Sequence, residues 1–143
     1  MIKDIRIDHS QKWLNRHWRA IQSGYGNAPF FEYYAGDLHD ILFQKHDFLY
    51  DLNLKLLTMC LKWLRWNITV KETSIYEKTV NEDVRDFRTL ISPKNDPTIT
   101  GLFKSVSYQQ VFGSKFVNNL SVVDLVFCEG PGAMSIVRAS AAK

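Results

Sequence analysis

Only two cysteines stand in 143 residues. That is too few to staple a secreted disulfide scaffold, and the thiols are expected to stay reduced in the cytoplasm. Long apolar runs are missing too. The most apolar stretch, 54–66, is broken by Lys55, Lys62 and Arg65, well short of the roughly 18 consecutive apolar residues that a membrane span needs. The first residues lack the basic-then-apolar layout of a secretory leader. Charge of one sign is scarce: 18 basic and 15 acidic residues leave a formal net charge of +3, interspersed along the chain. No contiguous basic face results, so nucleic-acid binding through Lys12, Arg16, Arg19 and the nearby tryptophans is disfavoured. Internal repeats and low-complexity segments are also absent.

Aromatic side chains, by contrast, are plentiful: four Trp, six Tyr and nine Phe. With 45% apolar and 23% charged residues, the composition is that of a folded globular protein, and the length is that of one domain.

The β-branched residues of 2–8 alternate in part and predict a short strand. Asp8 or Ser10 is placed to cap the helix that follows, on which Leu14, Trp18, Ile21 and Tyr25 form one apolar stripe before Gly24 and Gly26 stop it. Pro29 opens a second helix carrying Phe30, Tyr34, Leu38 and Leu42. A third spans 47–66 and presents Leu49, Leu52, Leu56, Met59, Cys60 and Trp63, with Asn67 as its stop. Residues 68–73 alternate with period two and predict a second strand. Val84, Phe87, Leu90 and Ile91 predict a fourth helix, and 94–101 a polar loop. Two short helices are expected over 108–116 and 120–127, the second capped by Ser121. Gly130 to Gly132 then break the chain, and 139–143 reads as a frayed end. The expected fold class is α/β or α+β, helix-dominated with two or three short strands. Since a sheet usually needs about three strands with a packed face, the domain is expected to be incomplete, with part of its β-layer encoded upstream.

Several stretches in order resemble the C-terminal portion of the WbqC-like protein family. They are the 2–8 strand, then Trp13-Leu14-Asn15-Arg16-His17-Trp18-Arg19-Ala20-Ile21, Ser23-Gly24-Tyr25 and Pro29-Phe30-Phe31-Glu32-Tyr33-Tyr34. Phe48-Leu49-Tyr50-Asp51-Leu52-Asn53, Tyr108-Gln109-Gln110-Val111-Phe112 and the run from Leu120 through Asp124 and Cys128 to Gly130 complete the set. The resemblance implies a role in bacterial O-antigen or other surface-polysaccharide biosynthesis, with transfer of a sugar or of an aminoacyl group such as glycine from an activated donor. The family's N-terminal His-Gln-Pro signature and its Pro-Trp turn have no counterpart here. The chain, 1–143, is therefore expected to be a single WbqC-like domain lacking that segment. The expected companions are an activated sugar or aminoacyl donor and either the missing segment or a second copy of the chain. The resemblance names no cofactor.

The candidate catalytic residues are His17, Asp124 and Glu129, and the candidate substrate-binding residues are Arg16, Tyr25, Tyr108 and Gln110. Imidazole titrates near neutral pH and suits His17 to proton transfer. A guanidinium such as Arg16 grips phosphate or carboxylate with two parallel bonds. Asp124 and Glu129 pair as acid and base only with a defined separation and a raised pKa. Tyr25 and Tyr108 offer rings to stack on a sugar. The rival reading is a non-catalytic helical module that binds a partner chain, in which these rings are core. His39-Asp40 and His46-Asp47 repeat at seven residues and bring their imidazoles to one side only on an unbroken helix; since zinc needs three or four converging ligands, a solvated helix face is expected rather than a metal site. Cys128 follows a helix, where the dipole raises a thiol pKa, and Cys60 lies in an apolar stripe; neither reads as a nucleophile.

Overall fold

The computed structural model describes residues 2–88, 101 and 103–141. Among the described residues the α-helices are α1 (Trp13–Tyr25), α2 (Phe31–Phe43), α3 (Leu49–Trp63), α4 (Val122–Glu129) and α5 (Ala133–Ala139). Among the described residues no strand forms, and the only β pairings are the isolated antiparallel bridges Arg6 to Phe48 and Phe103 to Ala141. This corrects the expected α/β or α+β class, although helices dominate as anticipated.

The 2–8 stretch opens with a 3₁₀ turn, Ile2–Asp4, and then makes one rung rather than a strand. Ile7 N–H donates to Asp47 O at 3.0 Å, and Leu49 N–H donates to Ile5 O at 2.9 Å. Lys3 pairs with Glu72, and the His9 ring bonds His46 O at 2.7 Å. The arm's backbone thus finds its partner in the turn before α3. Among the described residues the alternating segment 68–73 has no such backbone partner. It runs exposed and irregular, with Ile68 and Val70 in solvent. Period-two patterning is satisfied only when a neighbour supplies the ladder, and no described residue supplies one here. Val84 and Phe87 are likewise exposed and not helical, while Leu90, Ile91 and most of the 94–101 loop lie outside the described residues.

The three N-terminal helices follow the sequence closely. Neither Asp8 nor Ser10 caps α1: Lys12 occupies the cap position without a side-chain bond, while Asp8 accepts from Ser10 N–H at 2.8 Å in a local turn. Gly26 closes the helix, its N–H reaching Gln22 O at 2.8 Å. A Cβ there would meet that same oxygen at 2.7 Å, so the close approach requires glycine. Phe31, Ala35, Leu38 and Leu42 give α2 its buried stripe, and Leu52, Met59 and Trp63 give α3 its own. Arg65, at φ 52°, turns the chain out of α3 before Asn67 is reached.

Beyond the described gap, the expected helix over 108–116 does not form. Gly113, at φ 75°, turns the chain, and the Gln110 side chain takes the backbone bonds of Val117. The α4 helix is where it was expected, with Ser121 Oγ accepting from Val123 N–H at 3.3 Å. After the 3₁₀ turn Gly130–Gly132, α5 runs through Ala139, the first residue of the end that the sequence predicts as frayed.

The core forms where α2 touches α1, α3 and α4. Its centre is Phe127, fully buried, with ring centroids of Phe31 at 5.1 Å, Tyr25 at 5.3 Å and Trp63 at 6.0 Å. Edge-on and tilted aromatic contacts of this kind add to the plain gain from burying apolar surface.

Candidate functional site

From Asp124 to Cys128 every residue of α4 is buried. A helix enclosed on all sides leaves no solvent for a polar side chain, so Asp124 must find its partners inside the protein. Tyr108 O–H donates to Asp124 Oδ2, and Gln110 Nε2 approaches the same oxygen at 3.4 Å. Asp124 Oδ1 is buried with no hydrogen-bond partner among the described residues. The carboxylate lies in the first turn of α4, where the helix dipole favours negative charge.

The surroundings respond to that charge. Burial, reinforced by Asp124, pushes the Tyr25 phenol up to about 12. Burial and the bond to Asp124 raise Tyr108 further. Both phenols therefore hold their protons even at an alkaline pH where a free phenol ionises. Cys128 is raised to about 11 by burial and by Asp124, against a backbone bond from Val111. A thiol held protonated is a poor nucleophile, in keeping with the sequence reading.

The segment before α4 is laid along it by its own donors. Gln109 N–H reaches Glu129 Oε1 at 3.3 Å. The Gln110 amide accepts from Val117 N–H at 2.8 Å and donates to Val117 O at 2.8 Å, a side chain imitating one rung of a sheet. The loop so closed sets Phe112 edge-on to Tyr25 at 5.7 Å and Phe116 edge-on to Tyr108 at 5.3 Å. On the far side of Tyr108 opens a cleft of about 380 Å³, walled by Trp66, Phe103, Phe116, Leu120 and Ile136 and edged by Asn119.

Four of the seven sequence-derived site residues therefore meet: Tyr108 and Gln110 reach Asp124 directly, and Tyr25 faces the same carboxylate. Glu129 is tied to this segment through Gln109. Arg16 and His17 stand apart from Asp124. Both are exposed on α1, and His17 rests edge-on against Trp13 at 5.4 Å. His17 instead borders a separate apolar groove of about 570 Å³ that also takes in Tyr25, Leu56, Met59, Ser121 and Val123. Phe112 and Phe116 escaped the sequence reading as site residues because their placement depends on the Gln110–Val117 pairing, which no local periodicity announces; Trp66 enters the cleft from the turn that follows α3.

No three His, Cys, Asp or Glu side chains converge to hold a metal among the described residues. His39 stacks on Phe43 at 4.4 Å. His46 lies beyond the end of α2, buried, with its ring bonded to Ile41 O at 2.8 Å. The unbroken helix that would align the two imidazoles does not exist. Both cysteines are free, and no helix among the described residues is long and apolar enough to cross a membrane.

No curated protein and no solved structure matches the chain. A family model does, over residues 1–95. That is narrower than the resemblance read from the sequence. The match takes in Arg16, His17 and Tyr25 and leaves Tyr108, Gln110, Asp124 and Glu129 beyond it. It covers the three N-terminal helices, the larger part of the core and well over half of the residues, and the chain belongs to the WbqC-like protein family.

Proposed function

We propose that this protein serves bacterial surface-polysaccharide biosynthesis, O-antigen included, as a transferase-related protein of the cytoplasm. It handles an activated sugar or aminoacyl donor, and the cleft beside Tyr108 receives the sugar ring. One observation carries the reading: an aromatic cleft of ligand size adjoins a tyrosine whose hydroxyl is held by a buried carboxylate. Ligand sites are mostly apolar concavities with a few fixed polar groups, and a pyranose presents apolar C–H faces to rings and hydroxyls to phenols and amides.

Asp124 is too deep to touch a ring in the cleft; its part is to orient Tyr108. Glu129, partly exposed and bonded through one oxygen to Gln109, is the acid of the cluster better placed to move a proton. Arg16 and His17 act from α1 on a portion of the donor that reaches the groove beside His17.

Titration with nucleotide-activated sugars, followed by tryptophan fluorescence, tests the reading. Quenching that disappears in Trp66→Phe and weakens in Tyr108→Ala is expected. Absence of any change at millimolar sugar nucleotide removes the cleft from consideration. The alternative, a helical module that docks on a partner chain, draws on the apolar groove beside His17. A stable complex blocked by Leu56→Asp, with no sugar response, would favour it.

A further inference from the structure

Residues 110–117 divide sharply from the segment before them. Tyr108 and Gln109 are fixed to α4 through Asp124 and Glu129. Past them, 112–117 are all exposed, including Phe112 and Phe116. What closes this stretch is one side chain: Gln110 bonds both the N–H and the carbonyl of Val117 at 2.8 Å. The same amide nitrogen lies 3.4 Å from Tyr108 Oη and 3.4 Å from Asp124 Oδ2. Val111, next along, sends its backbone bond to Cys128, which is only 5% exposed. The segment thus hides a carboxylate and a thiol while burying little apolar surface of its own. Segments with that balance open at a small fraction of the global unfolding free energy.

We propose that residues 110–117 are a latch over Asp124 and Cys128, fastened by Gln110 and able to lift while the five helices stay folded. Lifting hinges at Gln109, breaks the Gln110–Val117 bonds that keep the segment folded against α4, releases Phe112 from Tyr25 and Phe116 from Tyr108, and bares the buried face of α4. Tyr108 stays on its carboxylate as the latch leaves. The inference does not depend on a sugar occupying the cleft, and its test needs no ligand.

Cys128 supplies the readout. In a Cys60→Ser background only one thiol remains, and its labelling by 5,5′-dithiobis(2-nitrobenzoate) reports how often the latch lifts. Labelling is expected to exceed the global unfolding rate and to be nearly flat at low urea, because local opening exposes little surface. Gln110→Ala is expected to speed labelling about tenfold, in line with the loss of two neutral hydrogen bonds, with the helical melting midpoint nearly unchanged. Gln110→Asn, one methylene short of Val117, should do the same if the alanine variant fails to fold. Labelling that follows global unfolding, with a steep urea dependence, overturns the latch. Local labelling with the same rate in the Gln110 variants overturns the role of Gln110 as its fastener.

Discussion

The hydroxyl of Tyr108 donates to Asp124, a carboxylate with 0% of its surface exposed. A buried charge is tolerated only where donors replace its lost water, and here one phenol and one amide carry that burden on a single oxygen.

Tyr108→Phe keeps the ring against Phe116 but removes the donor. A hydrogen bond to a charged group contributes about 1.5–3 kcal/mol, and a loss of that order is expected in urea-induced unfolding. A change below about 0.5 kcal/mol, the range of ordinary surface substitutions, would show that the carboxylate does not rely on Tyr108.

Tyr25 sets an alkaline limit. Its folded pKa is raised from 10.0 to about 12, so its contribution to stability is complete below pH 10 and fades as pH climbs through about 12. The unfolded chain releases that proton first and is favoured by the rise. Tyrosinate absorbance near 295 nm should show a late-ionising fraction that appears together with unfolding. Tyr25→Phe should lessen the alkaline loss; an identical alkaline midpoint in both proteins would rule this contribution out.

Phe127→Ala empties the centre of the core, where three rings converge. Aromatic-to-alanine changes in such positions cost about 3–5 kcal/mol. Loss of the cooperative thermal transition, or a fall in its midpoint by well over ten degrees, is expected by calorimetry.

Gly130 stands at φ 52° and ψ −122°, and a Cβ on it would lie 2.5 Å from the Phe30 ring. Gly130→Ala therefore meets both backbone strain and overpacking, each worth about 1–3 kcal/mol. The double variant with Phe30→Ala should recover part of the overpacking and none of the backbone strain. Denaturation of both proteins separates the two: no recovery would place the whole cost in the backbone.

Where a helix buries a stripe, the sequence declares it. Leu14, Trp18, Ile21 and Tyr25, then Phe30, Tyr34, Leu38 and Leu42, repeat with the period of the helix, and both helices stand within a few residues of expectation. On α2 the stripe is turned slightly: Leu38 and Leu42 are buried as expected, but Phe31 and Ala35 take the buried places beside half-buried Phe30 and Tyr34. Strand patterning failed for a physical reason: 2–8 and 68–73 alternate, but alternation describes one edge of a pair and says nothing of whether the other edge exists. The 108–116 segment misled differently. Its aromatics at helical spacing are held by a side-chain amide that stands in for a strand, an arrangement between Gln110 and Val117 that composition does not encode. Tyr25, Tyr108, Gln110 and Asp124, singled out from the sequence for their chemistry, lie together around one carboxylate. Chemistry chose Glu129, Arg16 and His17 as well: Glu129 is linked through Gln109, His17 shares a different groove with Tyr25, and Arg16 is exposed on α1.

Phe127 also bears on how the protein is made. Its contacts are Tyr25, Phe31 and Trp63, all of which leave the ribosome well before it does. At roughly 5–20 residues per second, these rings wait on the order of seconds for the ring that unites them. During translation the nascent α1–α3 segment carries an uncovered apolar seam until α4 arrives.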